Sequence, residues 1–178
     1  MQEIVRWSMG ICSSYIAVRL QEDGLQPICL WSDTKREDED TYRFGHEVAE
    51  RFNLHVVEAS HGEDLWAYWK RIHFLPARQV SQCSREFKIE PSQEWLEEYQ
   101  YQHQHQADAE GRCARVAFGY DFGNSKEKLR AAGLLARWNC LHIGVWFPLM
   151  EWQVTKQQCF GFFYERGIEP PAMYRHFQ

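Results

Sequence analysis

The fold is decided by a stretch near the start of the chain, Ile4-Val5-Arg6-Trp7-Ser8-Met9-Gly10-Ile11-Cys12-Ser13-Ser14. A short apolar run rich in β-branched residues is typical of a buried strand, and the Ser-Met-Gly that follows is typical of a turn. Residues 12–20 then predict an apolar helix with serines in its first turn. A small, hydroxyl-rich turn between a strand and a helix can present free backbone N–H groups to a phosphate. Serines at such a turn are also common as plain helix caps, so both interpretations stay open here.

The same strand–helix alternation continues along the chain. Strands are predicted over residues 27–31, 54–57, 115–119 and 141–145, and helices over 38–52, 63–72, 92–101, 126–137 and 153–166. In the second of these helices we expect Leu65, Trp66, Trp69 and Ile72 to share one face, and a loop is expected over residues 73–84. Such alternation favours a parallel sheet with helices on its faces and right-handed crossovers. The predicted fold is α/β, a Rossmann-like three-layer sandwich around a central, mostly parallel five-stranded sheet. We expect one domain over residues 1–178, with a polar loop near 100–112.

Composition excludes several classes of protein. The chain has 178 residues, 44% of them hydrophobic, and a net charge of −5, which argues against disorder and against a broad binding surface for duplex nucleic acid. No apolar run reaches the roughly 18 residues that a membrane span needs. The six cysteines form no Cys-x-x-Cys pair and predict the reduced thiols of a cytoplasmic protein. A protein partner or homo-oligomer is compatible with the high aromatic content.

Candidate ligand-binding residues follow from the predicted sheet. In an open parallel sheet, ligands bind beyond the carboxyl ends of the strands. This rule selects the residues after the first, second and fourth strands, which are Ser8, Met9, Gly10, Ile11, Cys12, Ser13 and Ser14, then Ser32, Asp33, Thr34 and Lys35, then Gly119, Tyr120 and Asp121.

Several of these segments resemble one protein family. Ser8-Met9-Gly10-Ile11-Cys12-Ser13 resembles the Ser-Gly-Gly-x-Asp-Ser phosphate loop of the phosphoadenosine phosphosulfate reductase-like branch of the adenine nucleotide alpha hydrolase (PP-loop ATP pyrophosphatase) superfamily. Four further blocks resemble that family in the same order, namely Asp33-Thr34-Lys35-Arg36-Glu37, Cys83-Ser84-Arg85-Glu86-Phe87-Lys88-Ile89-Glu90-Pro91, Gly119-Tyr120-Asp121 and Phe147-Pro148-Leu149. The resemblance covers nearly the whole chain and implies the adenine nucleotide alpha hydrolase-like fold.

The resemblance also implies a function and a set of site residues. It implies a domain that binds ATP or a related adenine nucleotide with Mg²⁺ and acts at the α-phosphate, by pyrophosphate release or adenylyl transfer. The implied binding residues are Ser8, Met9, Gly10, Ile11, Cys12, Ser13, Ser14, Trp31, Asp33, Lys35, Arg85, Lys88 and Gly119. Phosphates would rest on the serine loop, the adenine would lie near Trp31 and Asp33, and Arg85 and Lys88 would be the cationic contacts. The implied catalytic residues are Asp33, Lys88 and Asp121. Asp33 and Asp121 are also the expected magnesium ligands, although Asp121 is equally suited to capping a helix.

Three departures from the family pattern favour alternatives. Met9 stands where the family has glycine, and its side chain is expected to crowd the approach of backbone to phosphate. Cys12 replaces the loop aspartate, which leaves it either a small buried residue or a nucleophilic thiol at a helix N-terminus. No cysteine follows Cys159, whereas the reductases carry their nucleophile in a later segment. The alternative is therefore a non-catalytic nucleotide-binding module that acts as a sensor, sponge or subunit, and sulfonucleotide reduction is expected less.

Overall fold

The protein is built around a single five-stranded parallel sheet. The computed structural model describes residues 1–73 and 84–176. The strands are β1 (Gln2–Trp7), β2 (Ile28–Trp31), β3 (His55–Glu58), β4 (Ala114–Ala117) and β5 (Ile143–Trp146). They lie in the order β3-β2-β1-β4-β5, and all four neighbouring pairs are parallel. The structure thus confirms the predicted α/β fold.

Helices connect the strands and cover both faces of the sheet. They are α1 (Ile11–Glu22), α2 (Glu39–Arg51), α3 (Leu65–Arg71), α4 (Glu90–His103), α5 (Ser125–Leu135), α6 (Pro148–Glu151) and α7 (Lys156–Glu165). A π-helical segment, Arg85–Ile89, leads into α4, and 3₁₀ turns follow at Gln104–Gln106 and Ala172–His176. In the described ranges, no helix is both long enough and apolar enough to cross a membrane.

The core is divided between the two faces of the sheet. Successive side chains of a strand point to opposite faces, and in β1 the fully buried Ile4 and Val5 enter different apolar clusters. The Val5 cluster includes residues of α1, α2 and α7, such as Phe44 and Phe163. The Ile4 cluster includes Leu96 of α4 on the other face. Two clusters on opposite faces give the three layers that the sequence predicts.

Several element boundaries differ from the sequence predictions. The helix expected over 153–166 begins only at Lys156, because Gln153 has a positive φ of 56° and Thr155 forms a capping box with Gln158 that starts α7. Helix α4 starts at Glu90 and runs to His103, so the segment expected as a polar loop near 100–112 begins in its last turn. Trp66 is 51% exposed rather than on the core face, since α3 is only two turns long and buries Leu65 alone. Most of the loop expected over 73–84, and Cys83 with it, lies outside the described residues.

Candidate functional site

A cavity opens at the carboxyl ends of the central strands. The chain leaves β1 towards β2 and β3 on one side, and β4 and β5 lie on the other, so the strand order reverses between β1 and β4. This is the position at which open α/β sheets bind ligands. The cavity there has a volume of about 650 Å³. The residues from the sequence prediction that line it are Ser8, Gly10, Ile11, Cys12, Ser13, Trp31, Ser32, Lys88, Gly119 and Tyr120.

The turn between β1 and α1 forms one wall of this cavity. Gly10 is the N-cap of α1 and makes no side-chain capping bond, while the first helical N–H, that of Ile11, donates a hydrogen bond to the Tyr174 hydroxyl at 3.4 Å. The Ser13 hydroxyl accepts a hydrogen bond from the Ser8 N–H at 3.2 Å and donates one to the Gly10 carbonyl at 3.2 Å. Gly119 at the end of β4 packs closely on this turn, since a Cβ atom there would lie 2.9 Å from the Ser13 nitrogen. We call residues 8–13 the anion loop.

Two residues of the predicted site, Met9 and Ser14, have buried side chains that do not line the cavity. Met9 has a φ of 55° and a side chain only 2% exposed, which packs against Gly45 of α2. The expectation that Met9 crowds the phosphate position is therefore wrong, because its side chain points into the core. Ser14 is fully buried, and its hydroxyl accepts a hydrogen bond from the Trp7 indole at 2.9 Å. Neither side chain lies on the cavity wall.

Arg6 lies on the cavity wall without a carboxylate partner. Its guanidinium donates hydrogen bonds to the Ser32 hydroxyl at 3.2 Å, to the Lys88 carbonyl at 2.9 Å and to the Ser92 hydroxyl. No ion pair found in residues 1–73 and 84–176 involves this side chain. Burial lowers the pKa of Arg6 to about 10. A desolvated cation held only by neutral acceptors is well suited to receive an anion.

Lys88 and Glu37 form an ion pair on the cavity wall. The Lys88 ammonium lies 2.6 Å from the Glu37 carboxylate, which also accepts a hydrogen bond from Thr34 at 3.2 Å. The π-helical segment places Lys88 on the wall. The neighbouring Arg85 instead pairs with Glu90 at 2.7 Å and does not line the cavity.

Positive charge predominates on the wall although the chain as a whole is acidic. The cationic side chains are Arg6, Lys88, Arg130, Arg137 and Lys156, against Glu37 and Glu127. The Lys156 ammonium lies 4.3 Å from the centre of the Tyr174 ring, whose hydroxyl accepts a hydrogen bond from the Ile11 N–H at 3.4 Å. Arg130 and Arg137 interact electrostatically with Tyr120 on the β4 side, where burial nevertheless raises the pKa of that phenol. Cationic side chains therefore lie near both the anion loop and Tyr120.

The aspartates expected as magnesium ligands face other partners. Asp33 accepts hydrogen bonds from the Tyr42 hydroxyl at 2.6 Å and the Lys35 N–H at 2.8 Å; burial and this contact raise the pKa of Tyr42 to about 12. The Lys35 ammonium itself donates to the Gly62 carbonyl at 3.1 Å. Asp121 accepts from the Gly123 N–H at 2.9 Å and from the Lys156 N–H at 3.0 Å, at the start of α7.

The placement of these aspartates does not support the predicted magnesium site. Asp33, Lys35 and Asp121 are absent from the cavity wall. No cluster of three or more His, Cys, Asp or Glu side chains suitable for a metal occurs within the ranges the structure describes. Mg²⁺ is usually held by one or two carboxylates together with the phosphates of a bound nucleotide, and neither aspartate lines this cavity, so the chemistry below is derived without a metal.

Apolar and aromatic side chains complete the cavity. Phe118 at the end of β4 meets the Trp138 ring edge-to-face at 6.1 Å, and Leu96 and Leu134 lie on the same wall. Beside them, the Gln93 amide donates a hydrogen bond to the Asn139 side chain at 3.0 Å. A flat heterocycle fits such a wall, because the rings offer stacking area and the amides offer hydrogen bonds.

Comparison with known proteins agrees with this geometry. The model of the phosphoadenosine phosphosulfate reductase domain matches residues 3–176. The chain belongs to the phosphoadenosine phosphosulfate reductase domain family. The chain also resembles the crystal structure of phosphoadenylyl-sulfate reductase from Candida auris in its phosphate complex. The TM-score is 0.62 at 14% identity, and the match covers 98% of this chain and 78% of that chain, which shows a shared fold. None of the curated proteins compared with the chain matches it significantly in sequence.

The sequence prediction missed much of the charge in the cavity. Arg6 had a usable signal, because an arginine inside an apolar strand next to the phosphate turn is unusual for a buried parallel strand. Glu37 belongs to one of the sequence blocks that resemble the family, but the sequence prediction assigned it no role. Arg130, Arg137 and Lys156 had no signal, since they reach the cavity only through the way in which α5 and α7 pack on the sheet.

Proposed function

We propose that this domain binds an adenine nucleotide whose α-phosphate carries a second anionic group, as in phosphoadenosine phosphosulfate, and promotes transfer of that group to an acceptor. The observation that carries the proposal is Arg6, a desolvated guanidinium on the cavity wall whose hydrogen-bond partners are all neutral. Placing an anion beside it would offset the cost of burying its charge. The matching family model supports the choice of nucleotide.

We propose that the anion loop binds the terminal group, which is the second anionic group carried by the α-phosphate. The first N–H groups of α1 and the Ser8 hydroxyl can donate to its oxygens, and the positive end of the helix dipole favours negative charge there. Lys156 stands at the same end of the cavity through its contact with Tyr174. This part of the site is suited to a sulfate or a phosphate alike.

A second group of cations favours a nucleotide with two separate anionic groups. Arg130 and Arg137 line the cavity near Tyr120, which follows β4, and neither forms an ion pair within the described part of the chain. Arginine forks bind phosphate in a bidentate manner. We assign these side chains to a phosphate on the ribose and the Phe118–Trp138 wall to the base.

Catalysis in this proposal comes from position and charge. When the terminal group is transferred, the bond between it and the bridging oxygen breaks, and the α-phosphate leaves with additional negative charge. Arg6 and Lys88 both line the cavity wall, where their positive charges can stabilise that leaving group. The acceptor enters from solution, and the loop holds the terminal group in line for it.

Calorimetry with the full chain tests the proposal. We expect phosphoadenosine phosphosulfate to bind, and Arg6→Met to weaken binding about tenfold or more, because a hydrogen bond to a charged group contributes about 1.5–3 kcal/mol. Arg71→Met is the matched control. Arg71 is the last residue of α3, pairs with Glu63 just before that helix, and lies outside the cavity. Thermal unfolding of both variants separates lost binding from lost folding. Equal affinity of the wild type and Arg6→Met would contradict the proposal.

A second arm of the experiment separates the candidate reactions. ATP with Mg²⁺ and a release assay for pyrophosphate test the ATP pyrophosphatase activity that the PP-loop resemblance implies. Phosphoadenosine phosphosulfate with a dithiol, followed by assays for sulfate and sulfite, tests the transfer proposed here. Binding of the sulfonucleotide without any product would assign the domain to the non-catalytic class.

A reducing compartment such as the cytoplasm is part of the proposal. Cys12, Cys29, Cys113, Cys140 and Cys159 are all free thiols. Free cysteines in this number are typical of proteins that work in a reducing environment.

A further inference from the structure

Three neutral acceptors hold one end of the Arg6 guanidinium. Its Nη1 donates to the Ser32 hydroxyl at 3.2 Å and to the Ser92 hydroxyl, and its Nη2 donates to the Lys88 carbonyl at 2.9 Å. Ser32 follows β2, Ser92 lies in the first turn of α4, and Lys88 belongs to the π-helical segment. A side chain of β1 is thus tied to three other parts of the chain.

These acceptors are also joined to one another. The Ser32 and Ser92 hydroxyl oxygens lie 2.7 Å apart, and both hydroxyls donate to the Lys88 carbonyl, Ser32 at 3.3 Å. Since the Ser92 proton goes to that carbonyl, the Ser92 oxygen can accept from both Arg6 and Ser32, which uses its full hydrogen-bonding capacity. Both serines are buried, and a buried network with every member satisfied is rigid. We call Arg6, Ser32, Ser92 and the Lys88 carbonyl the Arg6 clamp.

The other edge of the guanidinium keeps two donors for a ligand. Arginine has five N–H groups, and the clamp engages Nη1 and one N–H of Nη2. Because the Lys88 carbonyl also bonds both serines beside Nη1, the Nη2 N–H that it accepts from is the one next to Nη1. The Nε N–H and the second Nη2 N–H find no acceptor among residues 1–73 and 84–176. Arg6 lines the cavity, so this pair of parallel donors is available there.

We propose that Ser92 and Ser32 are positioning residues, which fix Arg6 so that its Nε and Nη2 donate to the two non-bridging oxygens of the α-phosphate. This inference rests on the proposed function, which supplies the nucleotide. An α-phosphate bonded to the ribose on one side and to a second anionic group on the other keeps two non-bridging oxygens. A planar arginine fork matches two oxygens of one phosphate, whereas a lysine ammonium acts as a point charge.

The benefit of the clamp is that Arg6 is ordered before the ligand arrives. Immobilising a long side chain during binding costs about 0.5–1.5 kcal/mol, and this cost is avoided when the side chain is already fixed. The Ser92 hydroxyl is the central member of the clamp, because it bonds all three of the others. Ser92→Ala therefore removes the orientation of Arg6 and leaves its charge and its ligand-binding donors in place.

Calorimetry with phosphoadenosine phosphosulfate on the full chain tests the proposal. Ser92→Ala should weaken binding about threefold to tenfold, and Ser32→Ala should weaken it in the same direction. In an Arg6→Met background, Ser92→Ala should change the affinity by less than about twofold, because the side chain that it orients is gone. Arg6→Lys keeps the charge without the fork and should bind about as weakly as Arg6→Met.

Ser60→Ala is the matched control for the serine substitutions. The Ser60 hydroxyl donates to the Asp33 carbonyl at 3.3 Å and lies outside the cavity, so its loss should leave the affinity unchanged. Thermal unfolding of all variants separates lost binding from lost folding, and Ser32→Ala replaces Ser92→Ala if the latter does not fold.

Nuclear magnetic resonance of the ligand-free protein tests the clamp by itself. Hydrogen bonds on Nη1 and Nη2 should slow the rotation of the Arg6 guanidinium and give its Nη protons separate signals, which are assigned by their loss in Arg6→Met. Ser92→Ala should merge these signals, and Ser60→Ala should not.

Each result decides one part of the inference. Wild-type affinity in Ser92→Ala, or an equal loss of affinity with and without Arg6, overturns the positioning role. Full affinity in Arg6→Lys overturns the contact with two oxygens, and merged Nη signals in the wild type overturn the clamp. Wild-type protein that binds no nucleotide refutes the proposed function, whereas the Nη signals of the free protein still decide the clamp.

Discussion

The side chain of Met9 occupies the space that a Cβ atom on Gly45 would need. A Cβ atom at Gly45 would lie 2.5 Å from Met9 Cγ and 2.6 Å from Met9 Sδ. Met9 has a φ of 55°, in the left-handed region that a glycine usually fills, at a cost of about 1–2 kcal/mol for other residues. Burial of the methionine side chain returns about 1.5–3 kcal/mol. Met9 can therefore adopt a backbone conformation typical of glycine, because Gly45 in α2 leaves space for its side chain.

Gly45→Ala should lower the free energy of unfolding by about 1–2 kcal/mol, because overpacking costs about 1–3 kcal/mol and exceeds the gain in helix propensity of about 1 kcal/mol. The contact includes Met9 Cβ at 2.7 Å, which cannot move without the backbone of the loop. Urea unfolding measures the change.

Gly161→Ala is the matched control for that substitution. Gly161 lies inside α7, and a Cβ atom there meets nothing within 4 Å. It should raise the free energy of unfolding by about 0.5–1 kcal/mol. The double variant Met9→Gly/Gly45→Ala should recover part of the loss, since the two sites are coupled. Additive effects in this cycle would refute the contact between Met9 and Gly45.

The fold followed from the sequence much further than the site did. Alternating strand and helix patterns indicate the parallel sheet, and the turn at Ser8–Ser13 lies at the edge where ligands bind. Local patterns suffice there, because strand ends and helix starts are encoded by neighbouring residues. The direction of a side chain is not local. Asp33 and Met9 are next in sequence to residues that line the cavity, yet their side chains contact α2. Asp33 accepts a hydrogen bond from Tyr42, and Met9 packs against Gly45.

Gly119→Ala should weaken phosphate binding about tenfold, a loss of about 1.4 kcal/mol, by shifting the start of α1. The new Cβ atom would lie 2.9 Å from the Ser13 nitrogen and 3.2 Å from the Cys12 carbonyl carbon, and backbone atoms cannot rotate away. Gly133→Ala is the control, since its nearest neighbour is the end of the Arg137 side chain at 3.6 Å. Calorimetry with inorganic phosphate measures the effect, and unchanged affinity would show that the loop tolerates the shift.

Glu37→Gln should tighten the binding of an anionic nucleotide about twofold to fivefold, because a partly exposed ion pair contributes up to about 1 kcal/mol. The substitution removes a carboxylate from the cavity and releases Lys88, now 2.6 Å from it, to the ligand. High salt should reduce the difference. Glu47→Gln is the control, as Glu47 pairs with Arg43 at 2.9 Å on α2, outside the cavity. Weaker binding by Glu37→Gln would mean that the carboxylate itself contacts the nucleotide.

Chelation of divalent ions should leave the binding of phosphoadenosine phosphosulfate unchanged, because the carboxylates expected as magnesium ligands are engaged elsewhere. Asp33 accepts two hydrogen bonds through Oδ1, and so does Asp121. An asparagine retains that oxygen, so Asp33→Asn and Asp121→Asn should preserve both structure and affinity. If either aspartate were a magnesium ligand, its substitution would instead abolish any gain in nucleotide affinity caused by Mg²⁺. Titrations with EDTA and with Mg²⁺ on the wild type and both variants measure this. A gain in affinity with Mg²⁺ that disappears in either variant would return that aspartate to the site and show that the nucleotide draws its carboxylate into the cavity.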